Sequence, residues 1–202
     1  MKYIYHIDAD NFFSEIKTDL FRGKFTQAQV DGINIILKTF DGSDIRHVAY
    51  ALATVYHETA ETMQPIEEFG KGRGYDYGKK LKMGSGPGKR IAYTVPNKIY
   101  YGRGYTQNTW YENYLMLTIA AKKAGYNWDF LNNPELLLQP EPSAWAMKYA
   151  MVNGTYTGRK LADYFNDERS DSVNARRVIN GIDQAQKIAR HYEIFYKALT
   201  IN

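Results

Sequence analysis

Hydrophobic positions along this chain fall into blocks with the three-to-four spacing of helices, separated by short polar or glycine-bearing breaks. Asp8-Ala9-Asp10 precedes Phe12, Phe13, Ile16 and Leu20, which predicts a first helix ended by Gly23. Thr26 and Gln29 have the spacing of a capping box and open a second helix through Val30, Ile33, Ile36, Leu37 and Phe40. Asp41-Gly42-Ser43 reads as a turn, with Ser43 capping the central helix. That helix is the strongest block, and it begins at Ile45. From there to Thr62 no Gly or Pro occurs, and apolar residues at 45, 48, 49, 52, 53 and 56 mark one face. Ala51, Val55 and Ala60 widen that face to about half the circumference, the pattern of a core helix.

Downstream, the pattern predicts a helix from Thr109 to Ala124 that stops at Gly125. Asn133-Pro134 opens a short one, and Pro142 opens another whose Trp145, Tyr149 and Met151 read as core. Thr157 is placed to cap a helix over 158–165. Asp183 is placed to cap the last helix, whose Ala185, Ile188, Ala189, Tyr192, Phe195, Tyr196 and Leu199 are expected to pack on the central one. Helical spacing fails between Gln64 and Lys98, which hold seven of the 16 glycines and eight Lys or Arg. Three readings fit that stretch. A phosphate cradle lacks the required motif, a flexible linker suits the glycines, and a functional flap suits the interspersed Phe69, Tyr75, Tyr77 and Tyr93. The flap is favoured.

Candidate chemistry sits where the central helix meets this break. Glu58 falls at the rim of the apolar face, dry on one side and wet on the other, where partial desolvation favours the protonated form that a proton donor needs. Along an unbroken helix Glu67 would lie about 13 Å from Glu58, but Pro65 disfavours helix at Gln64 and turns the chain. Glu67 or Glu68 can then face Glu58 across a groove. Carboxylates about 6.5–9.5 Å apart, with water between them, are the equipment of an inverting glycosidase. The plainer alternative is that Glu58, Glu61, Glu67 and Glu68 are solvated surface acids.

Composition narrows the classes. The 202-residue chain is expected to form a single domain, with no cysteine for disulfides or a thiol nucleophile. His6, His47, His57 and His191 are scattered, and the segment from His57 to Glu61 lacks a second zinc-spaced histidine. No metal and no cofactor are expected. The formal charge of +4 is a mild basic bias, and the 18 tyrosines suit flat contacts with sugars at the surface. No apolar run reaches membrane-spanning length and MKYIYHIDADNFF lacks the apolar core of a cleavable signal, so a cytoplasmic product without stable membrane insertion is expected. Neither an internal repeat nor a low-complexity tract occurs.

YYGRGYTQNTWYENY, from Tyr100 to Tyr114, resembles the YYGRG-x-x-Q-[LI]-[ST] signature of family 19 glycoside hydrolases, the plant-type chitinases and related phage endolysins. His57-Glu58-Thr59 is similar to that family's catalytic-acid segment, and Ile179-Asn180-Gly181 to its I-N-G motif. The order is the family's, and IEEFGKG with NARRVING looks closest to the compact phage branch. The resemblance implies a mostly α, lysozyme-like, two-lobed single domain over 1–202, with N-terminal helices over 1–44, the family-like core over 45–199, a central cleft and the long Gly-rich loop. Glu58 matches the general acid, Glu67 is the chosen base with Glu68 next, and Thr109 matches the residue that holds the attacking water. Tyr101, Arg103, Gln107, Asn113 and Asn180 fall on sugar-binding positions; Asn108 departs from the usual aliphatic residue. Gly102 and Gly104 have their own rationale, close backbone approach or positive φ, and the amides of Gln107 and Asn113 suit sugar hydroxyls. The expected function is an endolysin that hydrolyses β-1,4 bonds of peptidoglycan by inversion, as a monomer with no nucleic-acid partner and no separate wall-binding module, acting in the periplasm after release. A chitinase and a non-catalytic glycan-binding protein are the alternatives.

Overall fold

A computed structural model of the chain describes residues 8–200; the residues through Ile7, His6 among them, lie outside the described residues. In chain order they form α1 (Ala9–Asp19), α2 (Gln27–Thr39), α3 (Ile45–Glu58), β1 (Ile66–Glu67), β2 (Leu81–Met83), β3 (Arg90–Ala92), β4 (Arg103–Gly104), α4 (Tyr111–Lys123), α5 (Pro140–Asn153), β5 (Phe165–Asn166), β6 (Arg169–Ser170) and α6 (Ala185–Thr200). The fold is mostly α and lysozyme-like. Two compact units divide it, one holding the residues up to Gln64 and those from Met147 onward, the other Pro65–Ala146.

In the first unit α3 is buried without interruption from Val48 to Tyr56, all round rather than on the half-circumference that periodicity suggests. Its most extensive packing is with α6, where Tyr192 meets Tyr50 and Phe195 meets Tyr56, and the expected Ile188 and Leu199 are buried as well. The Thr26–Gln29 capping box forms as expected, with Gln29 N donating to Thr26 Oγ1 at 3.2 Å and Thr26 N to Gln29 Oε1 at 2.8 Å. Asp44, not Ser43, caps α3. Its carboxylate accepts from Arg46 N at 2.8 Å and also pairs with the Arg46 guanidinium, a second bond that a serine hydroxyl cannot match.

The central helix ends earlier than expected, at Glu58, and Pro65 is not what breaks it. Ala60 N donates to His57 O and Glu61 N to Tyr56 O, the paired bonds of a Schellman motif. Ala60, Glu61 and Met63 all take positive φ (48°, 69° and 54°) without being glycine. Such conformations cost of order 1–3 kcal/mol each and persist only where neighbours hold them. Here α2 does the holding. Gln29 Nε2 donates to Glu61 O at 2.9 Å, and Gly32 lies so close that a Cβ there would sit 1.8 Å from Met63 O. Gly32→Ala is therefore expected to destabilise by about 3 kcal/mol, lowering Tm by roughly 6–12 °C in a thermal melt. An unchanged Tm would show that the turn after Glu58 is not held by α2.

Two other expectations change. α5 starts at Pro140, which puts Pro142 inside its first turn. Residues 158–165 form only a 3₁₀ turn, Leu161–Asp163, leading into the β5–β6 hairpin. Thr157 does not cap a helix there; its hydroxyl donates to the Arg177 and Val178 carbonyls.

In the second unit the Gly-rich stretch is a long loop carrying short strands rather than a linker. β2 and β3 form an antiparallel hairpin that is docked on α4. Arg90 pairs with Glu112 at 3.0 Å and lies 3.6 Å over the Trp110 ring, while Lys82 lies 5.7 Å over Tyr111. β1 pairs with β4 across the sequence, Ile66 with Gly104 and Glu67 with Arg103. Tyrosines fill cores as well as surfaces: among the described residues nine, including Tyr50, Tyr100, Tyr105 and Tyr114, are buried.

Candidate active site

The first unit carries Glu58 on the last turn of α3. Its side chain is 18% exposed and contacts Nη1 of Arg176, itself 5% exposed. Arg176 lies on the 3₁₀ turn Asn174–Val178 and is aimed by a bond from Nε to Asp183 O at 3.1 Å. The backbone N–H of Asn180 returns to Arg176 O at 3.0 Å, so the I-N-G segment is joined to the partner of Glu58. Asn180 itself is exposed, with its side chain accepting from Gly181 N at 2.8 Å. Burial holds the imidazole of neighbouring His57 below its ordinary range, a shift that Glu58 opposes and that Arg176 and Lys187 reinforce.

The second unit carries the adjacent pair Glu67 and Glu68, which differ in surroundings. Glu67 is exposed and receives Lys71 Nζ on Oε1 and the Tyr101 hydroxyl on Oε2, each at 3.0 Å. Those two donors, Lys71 foremost, hold its carboxyl below the usual carboxylate range. Glu68 is half-buried and fully engaged. Tyr77 donates its hydroxyl at 2.9 Å, Gly102 N donates at 3.1 Å, and Glu68 N donates to Gly102 O at 2.8 Å. The Tyr77 hydroxyl is in turn pushed up to about 12 by burial and by Glu68. An exposed carboxylate held in its ionised form and one built into the scaffold thus sit side by side.

The YYGRG segment is mostly scaffold beneath Glu67. Arg103 is 3% exposed, donates to the Ile99 and Tyr101 carbonyls and the Tyr114 hydroxyl, and stacks 3.6 Å from the Tyr101 ring. Gly102 allows the close approach expected of it, toward its own chain: a Cβ there would meet Gln107 Oε1 at 2.8 Å and Glu68 Cβ at 3.3 Å. Gly104 takes the expected positive φ of 90°. Gln107 Nε2 donates to Ile66 O and Gly104 O, tying β1 to β4. Asn113 Nδ2 donates to Thr109 O at 2.8 Å, which fixes the half-buried Thr109 at the head of α4. The structure therefore brings Glu67, Tyr101 and Gln107 together around the β1–β4 pair, with Thr109 and Asn113 following in the chain, while Arg103 stacks on Tyr101.

Sequence reasoning missed Arg176, Lys71 and Tyr77. Arg176 had one signal, a cation between Ala175 and Val178, both of which are buried. Among the described residues no group of three or more His, Asp or Glu is arranged to hold a metal ion. Lys71→Met removes the main group that holds the Glu67 carboxyl low. If Glu67 must be ionised to act, the acidic limb of the kcat/KM profile should move to higher pH. A limb that stays in place would remove Glu67 from the rate-determining ionisation.

No known protein-family profile matches the sequence, and no curated protein matches it. Solved structures do. Chitinase C from Streptomyces griseus HUT6037 superposes with a TM-score of 0.59 over 96% of this chain and 76% of its own, at 22% identity. A bacterial family 19 chitinase superposes with a TM-score of 0.53 over 97% and 96%, at 23% identity. A chitinase C variant with one glutamate replaced by glutamine gives 0.56 over 96% and 76%, at 19% identity. The likeness shows a shared mostly helical, lysozyme-like fold.

Proposed function

We propose that this protein is a glycoside hydrolase of the family 19 type, cleaving β-1,4 bonds of peptidoglycan by inversion as an endolysin. The observation that carries this reading is the contrast between two carboxyl groups, Glu58 partly buried against Arg176 and Glu67 exposed under Lys71 and Tyr101. A group that gives up a proton and then persists as a carboxylate suits the partly buried place beside Arg176, and a group that must stay ionised suits the exposed place beside Lys71. In the proposed reaction Glu58 protonates the leaving glycosidic oxygen, and Arg176 stabilises the carboxylate that remains. Glu67 takes a proton from a water that attacks the anomeric carbon from the opposite face, and Thr109 helps hold that water. Tyr101, Gln107, Asn113 and Asn180 complete the sugar-facing set, with Arg103 supporting Tyr101. The enzyme acts as a monomer on wall glycan after release from the cytoplasm.

Chitin is the second substrate reading, favoured by the chitinases among the structural neighbours. A turbidity assay on purified peptidoglycan beside one on chitin decides between them. The expected result is clearing of peptidoglycan with new reducing ends. Turnover of chitin alone would replace the endolysin reading, and binding to both without new reducing ends would reduce the protein to a glycan-binding module.

A further inference from the structure

Half of the eight cations in the Gly-rich stretch are already neutralised: Lys71 by Glu67, Lys79 by Asp76, Arg90 by Glu112 and Lys98 by Glu135. Unpaired positive charge is also gathered outside that stretch, in a concave site. On the first unit a depression of about 400 Å³ is lined by Arg177, Lys187 and Arg190, together with the amide-bearing residues Gln184 and Gln186 and with Asn174. No Asp or Glu lines it, and none of the three cations forms an ion pair with a described carboxylate. Concavities lined by one sign of charge concentrate counter-ions, and the volume is that of a small-ligand site.

The depression is partly preorganised. Asp171 receives both the backbone N–H and the side-chain amide of Asn174, and Asn174 Oδ1 in turn accepts from Arg177 Nε at 3.5 Å. In the chain, Arg177 follows directly on Arg176, the partner of the candidate acid. Exposed Ile182 supplies an apolar edge. Three cations, amide donors and one apolar edge match a short peptide ending in a carboxylate. They do not match an uncharged sugar. Peptidoglycan carries such peptides on its glycan, and chitin does not.

We infer that this depression is a subsite for a peptide-stem carboxylate of peptidoglycan, and that it selects the anionic wall polymer over neutral aminosugar polymers. The inference rests on the glycosidase reading above, and it is tested by binding so that the two can fail separately. Co-sedimentation of the intact protein with purified sacculi, acid-stripped of phosphate polymers, measures affinity. The same sacculi with carboxyls converted to amides serve as control. The unsubstituted protein should bind native sacculi about tenfold more tightly than amidated ones, and the difference should shrink as salt rises. The triple variant Arg177→Gln, Lys187→Gln, Arg190→Gln replaces exposed side chains. It should melt normally and lose the tenfold preference, while any turnover of a neutral N-acetylglucosamine oligomer stays within twofold.

Equal binding to native and amidated sacculi overturns the inference, as does a triple variant that keeps the preference. Loss of binding when phosphate polymers are stripped would assign the depression to phosphate instead. A protein that never produces reducing ends yet shows the charge-dependent binding would refute the glycosidase reading and leave the subsite standing.

Discussion

Glu58→Gln is expected to fold and to lose lytic activity by about 10²–10⁴-fold, the range for loss of a general acid. The amide oxygen of glutamine can still accept from Arg176, so the buried guanidinium keeps a hydrogen-bond partner and the end of α3 stays in place. What disappears is the transferable proton. The cost to folding should be a modest fall in Tm, because a charged acceptor becomes a neutral one beside a buried cation. Initial rates of turbidity loss, read beside circular dichroism, separate the two effects. A folded variant that keeps more than a few per cent of activity would remove Glu58 from the reaction.

Glu67→Gln is the second large effect. Its side chain is 38% exposed, so folding should be unaffected, and Tyr101 can donate to the amide oxygen as it does to the carboxylate. The amide cannot take a proton from water, so turnover should fall by about 10²–10⁴-fold with glycan binding retained. Glu68→Gln is the informative contrast. Glu68 holds Tyr77 and Gly102, so its substitution should lower stability more than it lowers the chemical step. A Glu68→Gln variant that folds fully and is inactive, beside an active Glu67→Gln, would move the base by one residue and leave the mechanism intact.

Local signals in the sequence were enough for much of the helical frame. The capping box at Thr26, the stop near Gly125 and the stripe of α6 are each set by residues within one or two turns, and each forms. The break after Glu58 was not legible in the same way. Nothing between Ala60 and Pro65 is glycine, and the left-handed turn exists because α2, some 30 residues earlier, supplies Gln29 and the flat surface of Gly32. The same holds for the candidate site. Glu58 stands out at the rim of an apolar stripe, but its partner Arg176 is more than a hundred residues away and is brought in by the packing of the first unit. Gln107 Nε2 also ties Ile66, 41 residues earlier in the chain, to the glycine-rich motif. Hydrogen bonds closed over such separations leave no trace in local periodicity.

The central claim, that a water activated by Glu67 attacks opposite a bond protonated by Glu58, is tested most directly by the anomeric configuration of fresh product. Proton NMR of a defined β-1,4-linked substrate, recorded before mutarotation, reads it. Inversion requires that the new reducing end appear first as the α-anomer. A β-anomer in the earliest spectra would mean a retained configuration, and the picture of a water held between two carboxyl groups would be wrong.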